Sequence, residues 1–339
     1  MQLSDFDFPF DPTLIATEPI IPRDQAKLLV VGRGAHRLAH QRVADLPTLL
    51  KPGDLLVLND TKVMAARVPG VKRSTGVSVD VLFVKALGEG RWEIMVKGSL
   101  KVGQVIEFDH QSFATIVKRD ASGTEVVMGG TMPITGLFEA RGRMPLPPYI
   151  KRAPSQEDHH WYQTIMAKHE GAIAAPTAGL HFTEELLRRL REAEIRVATL
   201  TLHVGPGTFK PVKTDRIEDH QMGAEAFTVS EETANAIQET KRAGGRVVAV
   251  GTTVVRTLET VAQERGAVAP MSGESQLFIT PGFQFKVVDA LMTNFHLPKT
   301  TLLMLVSAFA GIEPIRSAYK EAVRERYRFY SYGDAMLIV

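Results

Sequence analysis

The chain of 339 residues contains no cysteine. That excludes disulfides, thiolate metal sites and cysteine nucleophiles. It also lacks any apolar run near the roughly 20 residues that a helix needs to cross a bilayer. The longest run, Leu302–Ala310, is broken by Ser307. The opening MQLSDFDFPFDP is acidic and has neither the basic start nor the apolar stretch of a signal peptide. A cytoplasmic location without a membrane partner is therefore expected. Neither sign of charge dominates, with 40 Lys and Arg against 38 Asp and Glu. Such a balance neither suggests nor excludes nucleic acid, because a local patch matters more than the sum. Motifs are missing too: there is no P-loop, no GxGxxG after a strand and no GxSxG elbow. No HxH or HExxH spacing occurs and the carboxylates are dispersed, so no metal is expected.

What is present is a globular composition, 44% hydrophobic and 23% charged, long enough for one large or two ordinary domains. The densest stretch is Gly171–His220, which holds three of the ten histidines among Gly, Pro and Thr. Val197, Thr199, Thr201 and His203 alternate with Ala198, Leu200, Leu202 and Val204, the period of a strand with one apolar face. Gly205-Pro206-Gly207 then forces the chain out of the sheet. Ligands in open α/β sheets sit outside the carboxyl ends of strands, which makes this turn a site edge. A second apolar strand ends in Asn59-Asp60-Thr61, which is either another site edge or ordinary turn chemistry. A third, Arg246–Val250, runs into Gly251-Thr252-Thr253 and a helix, a geometry whose free N–H groups can hold an anion.

From about Arg67 to Met144 the character changes. Short alternating runs, at Val77–Phe83, Arg91–Lys97, Gln104–Phe108, Phe113–Lys118 and Glu125–Met128, are separated by Gly-containing turns. That spacing predicts a small all-β barrel or sandwich. The expected architecture is thus a mixed-sheet α/β catalytic domain, residues 1–66 and 145–339, interrupted by an inserted β-barrel domain, residues 67–144. The proline-rich Met144–Ile150 reads as a rigid exit linker.

His181, His203, His220 and His296 each stand beside a turn, and imidazole is the side chain suited to proton transfer near neutrality. Each taken singly also fits a hydrogen-bonded structural histidine. Asp219 and Glu225, close to His220, can orient a base or hold a diol, or simply belong to a solvated acidic loop. Arg256 can grip a carboxylate in bidentate fashion, or pair with Glu259 or Glu264. A last helix, predicted over about Pro314–Phe329, sets Arg316, Lys320, Arg324 and Arg328 four apart on one stripe. Like charges so spaced destabilise a helix, and an RNA backbone is one partner that would use them; a solvated face is the plain alternative.

The chain resembles the S-adenosylmethionine:tRNA ribosyltransferase-isomerase family. The similarity runs from end to end, through PGDLLVLNDTKVMAAR (52–67), PLPPYIKR (145–152), AAPTAGLHFT (174–183), TLHVGPGTF (201–209), IEDHQM (217–222), VGTTVVRTLE (250–259), TNFHLPKTTLLMLVSAFAG (293–311) and YRFYSYGDAMLI (327–338). The family usually has His after the Met of IEDHxM, where this chain has Gly223. The resemblance implies an α/β domain interrupted by a β-barrel. It also implies transfer and isomerisation of the ribosyl group of S-adenosylmethionine onto an aminomethyl-deazaguanine base at the wobble position of tRNA. The product is epoxyqueuosine, with adenine and methionine released. S-adenosylmethionine is consumed as co-substrate, and no separate cofactor is expected. The tRNAs implied are those for Tyr, His, Asp and Asn, and a monomer is expected. On this footing His203 and His181 are the proton-transfer candidates, with His296 in reserve and Asp219 or Glu225 as orienting groups. The substrate-binding candidates are Asn59, Asp60, Thr61, Thr177, Thr208, Thr252, Thr253, Arg256 and Asn294, with Thr252, Thr253 and Arg256 directed at the methionine carboxylate. Arg316, Lys320, Arg324 and Arg328 are the expected tRNA contacts. Two other readings fit parts of the sequence: an RNA methyltransferase, which would leave S-adenosylhomocysteine, and an RNA-binding module without catalysis.

Overall fold

A computed structural model describes the chain except for residues 34–36, 122, 206–211, 213 and 215. It divides into two compact units. The first comprises Met1–Lys62, Pro148–Arg152 and His160–Val339, and the second Val63–Pro147 with Ala153–His159.

The first unit is built on a nine-stranded mixed sheet. Its four central strands, in spatial order Arg196–Leu202, Leu55–Asn59, Val247–Val250 and Ala290–Asn294, are mutually parallel. Ala335–Ile338 follows antiparallel, then Lys27–Val31 parallel to it, then the edge strand Leu38–Arg42. On the opposite side Glu225–Val229 and Met271–Ser275 extend the sheet antiparallel. The central strands read as unbroken apolar runs because both faces are covered. Leu55 and Val57 point into one core, shared with Val254, Leu258 and Met304. Leu56 and Leu58 point into the other, shared with Leu186, Leu190 and Phe182. The helices over the first face include Glu231–Arg242, Thr252–Arg265, Thr301–Ala310 and Ile312–Arg324, whereas Glu184–Glu192 covers the second. The N-terminal arm packs its rings on this unit, Phe8 against Tyr319 and Phe10 against Phe329, each pair 4.9 Å apart.

At the strand starts, the buried carboxylate of Asp54 accepts two bonds from the Arg246 guanidinium, 3.1 and 2.6 Å, and one from the Arg246 backbone. Burial pushes this carboxyl up, but the bonds and charge of Arg246, with a backbone bond from Lys51, outweigh it and hold the group below its ordinary value. The pair fastens Leu55–Asn59 to Val247–Val250 at one end of the sheet. The opposite end is left for the site.

The second unit is a closed barrel of six antiparallel strands, in order Gly123–Gly130, Arg91–Val96, Ser78–Gly88, Arg67–Lys72, Val105–Asp109 and Ser112–Asp120. Alternate residues such as Val81, Phe83, Ile106, Ile116 and Val126 fill its interior. The sequence reading lacked Arg67–Lys72, whose Pro69-Gly70 hides the alternation, and the helix Ile134–Arg141. Leu137 of that helix lies in the barrel core, and the limits of the unit are wider than 67–144: Ala66 belongs to the same core, Met64 packs against it, and the unit runs over Val63–Pro147 with Ala153–His159.

Candidate active site

Parallel order brings the carboxyl ends of four neighbouring strands to one edge. They deliver Asn59-Asp60-Thr61, His203, Gly251-Thr252-Thr253 and Asn294-Phe295-His296 together. Glu225 starts the antiparallel strand beside His203 and pairs in register with Ser275.

Asn59 is the strut of this edge. Its Nδ2 donates to the Leu202 carbonyl at 2.9 Å and to Thr253 Oγ1 at 3.3 Å. Its Oδ1 accepts from the N–H groups of Thr61, 3.0 Å, and Leu202, 3.1 Å. With its capacity used on three segments, Asn59 positions other groups rather than meeting a substrate.

Asp60, Thr61 and His203 form one polar set. Thr61 Oγ1 lies 2.8 Å from His203 Nδ1, and Asp60 Oδ1 accepts from Thr201 Oγ1 at 2.6 Å. His169, which the sequence reading passed over, stands with Nε2 3.9 Å from Asp60 Oδ2. His203 is half-buried; burial and the neighbouring His169 lower its pKa below 6.5, against the opposing pull of Asp60. The imidazole is therefore neutral at pH 7 and able to accept a proton. It lies flat against Gly171, where a Cβ would come within 2.7 Å of Nδ1 and φ is +149°.

The second feature is a cleft of about 440 Å³, open mouth included, whose polar lining includes Thr177, Thr252, Thr253, Asn294, His296 and Ser331. Ala175, Val204, Leu302 and Tyr330 supply apolar walls. The helix Thr252–Arg265 begins on this cleft, and Gly251, at φ +94°, gives its first turn no side-chain cap. His296 is buried and pushed down to about 3 by burial, with Nε2 3.1 Å from Thr293 Oγ1.

His181 stands behind the cleft. It is buried, and desolvation followed by the charges of Arg23 and Arg328 pushes it down to about 3. Its Nε2 receives the Nδ2 hydrogen of Asn294 at 3.2 Å. That bond uses the nitrogen that would accept a substrate proton, so His181 orients Asn294.

Three further expectations change on this geometry. Arg256 is not offered to a ligand carboxylate. Its guanidinium is buried against Glu225 and donates to the Leu277 and Ser275 carbonyls at 3.1 and 3.2 Å. Glu225 in turn also accepts from the Gly205 N–H at 2.8 Å, and Glu259 is occupied by the backbone of Lys286, Val287 and Val288. Asp219 is exposed in a short 3-10 turn and bonds none of His181, His203 or His296. His220 instead packs edge-on to Phe278. The cationic stripe is shorter than expected, because the helix ends at Arg324 and Arg326 turns the chain with φ +51°. Arg328 is drawn inward, donating to the Glu18 carbonyl and facing Asp334. Arg316, Lys320 and Arg324 remain exposed, with Arg316 paired to Glu313 and Arg324 to Glu321. Thr208 lies outside the described residues.

Sequence reasoning passed over His169, Tyr330 and Ser331. The last two sit in the Tyr-rich stretch YRFYSY at 327–332, which precedes the apolar strand Ala335–Ile338. Among the described residues no group of three or more His, Asp or Glu is placed to hold a metal ion. No single helix among them is long and apolar enough to cross a membrane.

Comparison with known proteins agrees with this arrangement. The family described as Queuosine biosynthesis protein matches residues 3–338. An S-adenosylmethionine:tRNA ribosyltransferase-isomerase of Symbiobacterium thermophilum is 49% identical, and one of Desulforamulus reducens 47%, each alignment covering 100% of both chains. The crystal structure of S-adenosylmethionine tRNA ribosyltransferase from Thermotoga maritima matches with a TM-score of 0.57 at 37% identity, covering 99% of this chain and 100% of that one. A match over nearly every residue, with the site-bearing strand ends inside it, places this chain in the S-adenosylmethionine:tRNA ribosyltransferase-isomerase family.

Proposed function

We infer that this chain transfers the ribosyl group of S-adenosylmethionine to the aminomethyl-deazaguanine at the wobble position of tRNA and isomerises it to the epoxycyclopentanediol of epoxyqueuosine, releasing adenine and methionine. The acceptors are tRNAs of the Tyr, His, Asp and Asn type. The chain acts in the cytoplasm as a monomer, with S-adenosylmethionine as consumed co-substrate and no further cofactor.

The observation that carries the residue assignment is the neutral, half-buried His203 fixed through Nδ1 by Thr61. The reaction needs a base for the proton on the carbon beside the sulfonium, which the positive sulfur acidifies. A neutral imidazole held in one orientation, with Nε2 turned away from its anchoring bond, is suited to that step. Asn59 holds Thr61 in place and Gly171 lets the ring seat. His296, neutral and in the cleft wall, is the second proton carrier. Asp60 is the carboxylate beside the base, taking the orienting part that Glu225 and Asp219 do not fill. The exposed Arg316, Lys320 and Arg324 are the tRNA backbone contacts.

The test is to incubate the protein with S-adenosylmethionine and precursor-bearing tRNA, then assay free adenine and the mass of the modified nucleoside. Adenine release with the matching nucleoside is expected. S-adenosylhomocysteine in place of adenine would turn the reading to a methyltransferase, and tRNA binding without consumption of S-adenosylmethionine would turn it to a binding module.

A further inference from the structure

Two features of opposite polarity line the cleft. The first is the uncapped start of the 14-residue helix Thr252–Arg265. The N–H groups of its first turn have no acceptor within the helix; Val255 is the first to find one, the Gly251 carbonyl. These groups and the helix dipole favour an anion.

The second is Asn294, 2% exposed. Its Nδ2 donates to the Tyr330 carbonyl at 3.0 Å and to His181 Nε2 at 3.2 Å. A carbonyl can only accept, so this pair fixes which end of the amide is which. The remaining atom, Oδ1, is buried without a hydrogen-bond partner. A buried acceptor left unpaired costs about 1–3 kcal/mol, so it calls for a donor that the protein itself does not supply. Tyr330 is held at φ +70°, a conformation costly for a non-glycine residue, with its N–H on the Phe295 carbonyl.

A simple anion at the helix start would meet the negative end of the Asn294 dipole. A simple cation at Oδ1 would meet the positive helix end. A zwitterion satisfies both. We propose that this cleft is the subsite for the α-amino-acid head of S-adenosylmethionine, with the carboxylate on the N–H groups of Thr252 and Thr253 and the ammonium donating to Asn294 Oδ1. The apolar walls at Val204 and Leu302 then take the methylene chain. This rests on the function inferred above, and it gives Asn294 the task of selecting an amino-acid head, with Arg256 excluded from it.

The experiment is calorimetric titration of the full chain with S-adenosylmethionine, its decarboxylated analogue and its deaminated analogue. Removal of either head group is expected to weaken Kd at least tenfold. Thr252→Pro removes one N–H donor without removing an intrahelical bond, because proline is accepted at the first helical position. This variant is expected to weaken S-adenosylmethionine severalfold and to leave the decarboxylated analogue unchanged. Analogues binding within twofold of S-adenosylmethionine would overturn the subsite, and the ligand series holds even if the proline variant fails to fold. The two inferences fail separately. Adenine release with equal KM for S-adenosylmethionine and the decarboxylated analogue removes the subsite and leaves the function. Head-group-dependent binding without tRNA modification removes the function and leaves the subsite.

Discussion

Arg256 and Glu225 are joined as a buried ion pair across the edge of the sheet, each no more than 6% exposed. The pair bridges the helix Thr252–Arg265 to the strand Glu225–Val229 and leaves neither group to a ligand. Breaking a buried pair by removing one partner costs about 3–5 kcal/mol. Arg256→Met is therefore expected to lower the unfolding free energy by that amount, as measured by chemical denaturation. KM for S-adenosylmethionine in the folded fraction should change by less than threefold. A large rise in KM with unchanged stability would return Arg256 to the substrate.

His203→Ala is expected to reduce kcat by about 10²–10⁴, the usual contribution of a general base, with the unfolding midpoint retained. Near-normal turnover would remove His203 from the mechanism. The pH profile gives a second check. A base with a lowered pKa is active above that pKa and loses activity as it protonates, so the acid limb of kcat/KM should fall below pH 6.5. His169→Gln removes a charge that lowers the pKa and should move the limb upward, whereas Asp60→Asn removes one that raises it and should move the limb downward.

His181 and His296 predict a stability slope. Each is pushed by burial to about 3 in the folded chain, against about 6.5 unfolded. The unfolded chain therefore binds more protons between these values. Stability is complete above pH 6.5 and is lost as pH falls towards 3, by up to about 1.4 kcal/mol per pH unit for each histidine. Denaturation midpoints at pH 7, 6 and 5 measure this. A flat profile would show that one or both histidines protonate without unfolding.

The exposed cations give a binding prediction. Replacing Arg316, Lys320 and Arg324 together by Ala should weaken tRNA association and reduce the salt slope of log Kd by about 1 for each phosphate no longer neutralised. Arg328→Ala should instead act on stability, because that side chain is tied to Glu18 and Asp334. An unchanged salt slope in the triple variant would leave those three cations as a solvated face.

The strand ends of the α/β unit were legible because doubly covered strands are apolar throughout and stop abruptly at polar residues. Asn59-Asp60-Thr61 and Gly251-Thr252-Thr253 announce themselves in that way, whereas Asn294 stands out only through the family resemblance. The partner of Arg256 was not legible. Glu259 and Glu264 are near in sequence, but the nine-stranded sheet brings Glu225 from a separate strand onto the guanidinium. Spacing along one helix cannot reveal a pairing made through sheet order. His181 misled for a related reason: its turn-side position looked reactive, and only the structure shows its Nε2 held by Asn294. The end of the last helix was misjudged because the Arg and Glu spacing continues past Arg324 while the backbone turns at Arg326.

The last strand, Ala335–Ile338, lies between Ala290–Asn294 and Lys27–Val31 and is buried throughout. Leu28 pairs in register with Ala335, some three hundred positions along the chain. Until Ala335–Ile338 has been synthesised, Lys27–Val31 consequently has only the edge strand Leu38–Arg42 as a neighbour, and its other side is unpaired. While the chain is growing, Leu28, Leu29 and Val31 remain an apolar edge in want of a partner. Loss of the final five residues would leave that edge permanently open, exposed to pairing between chains.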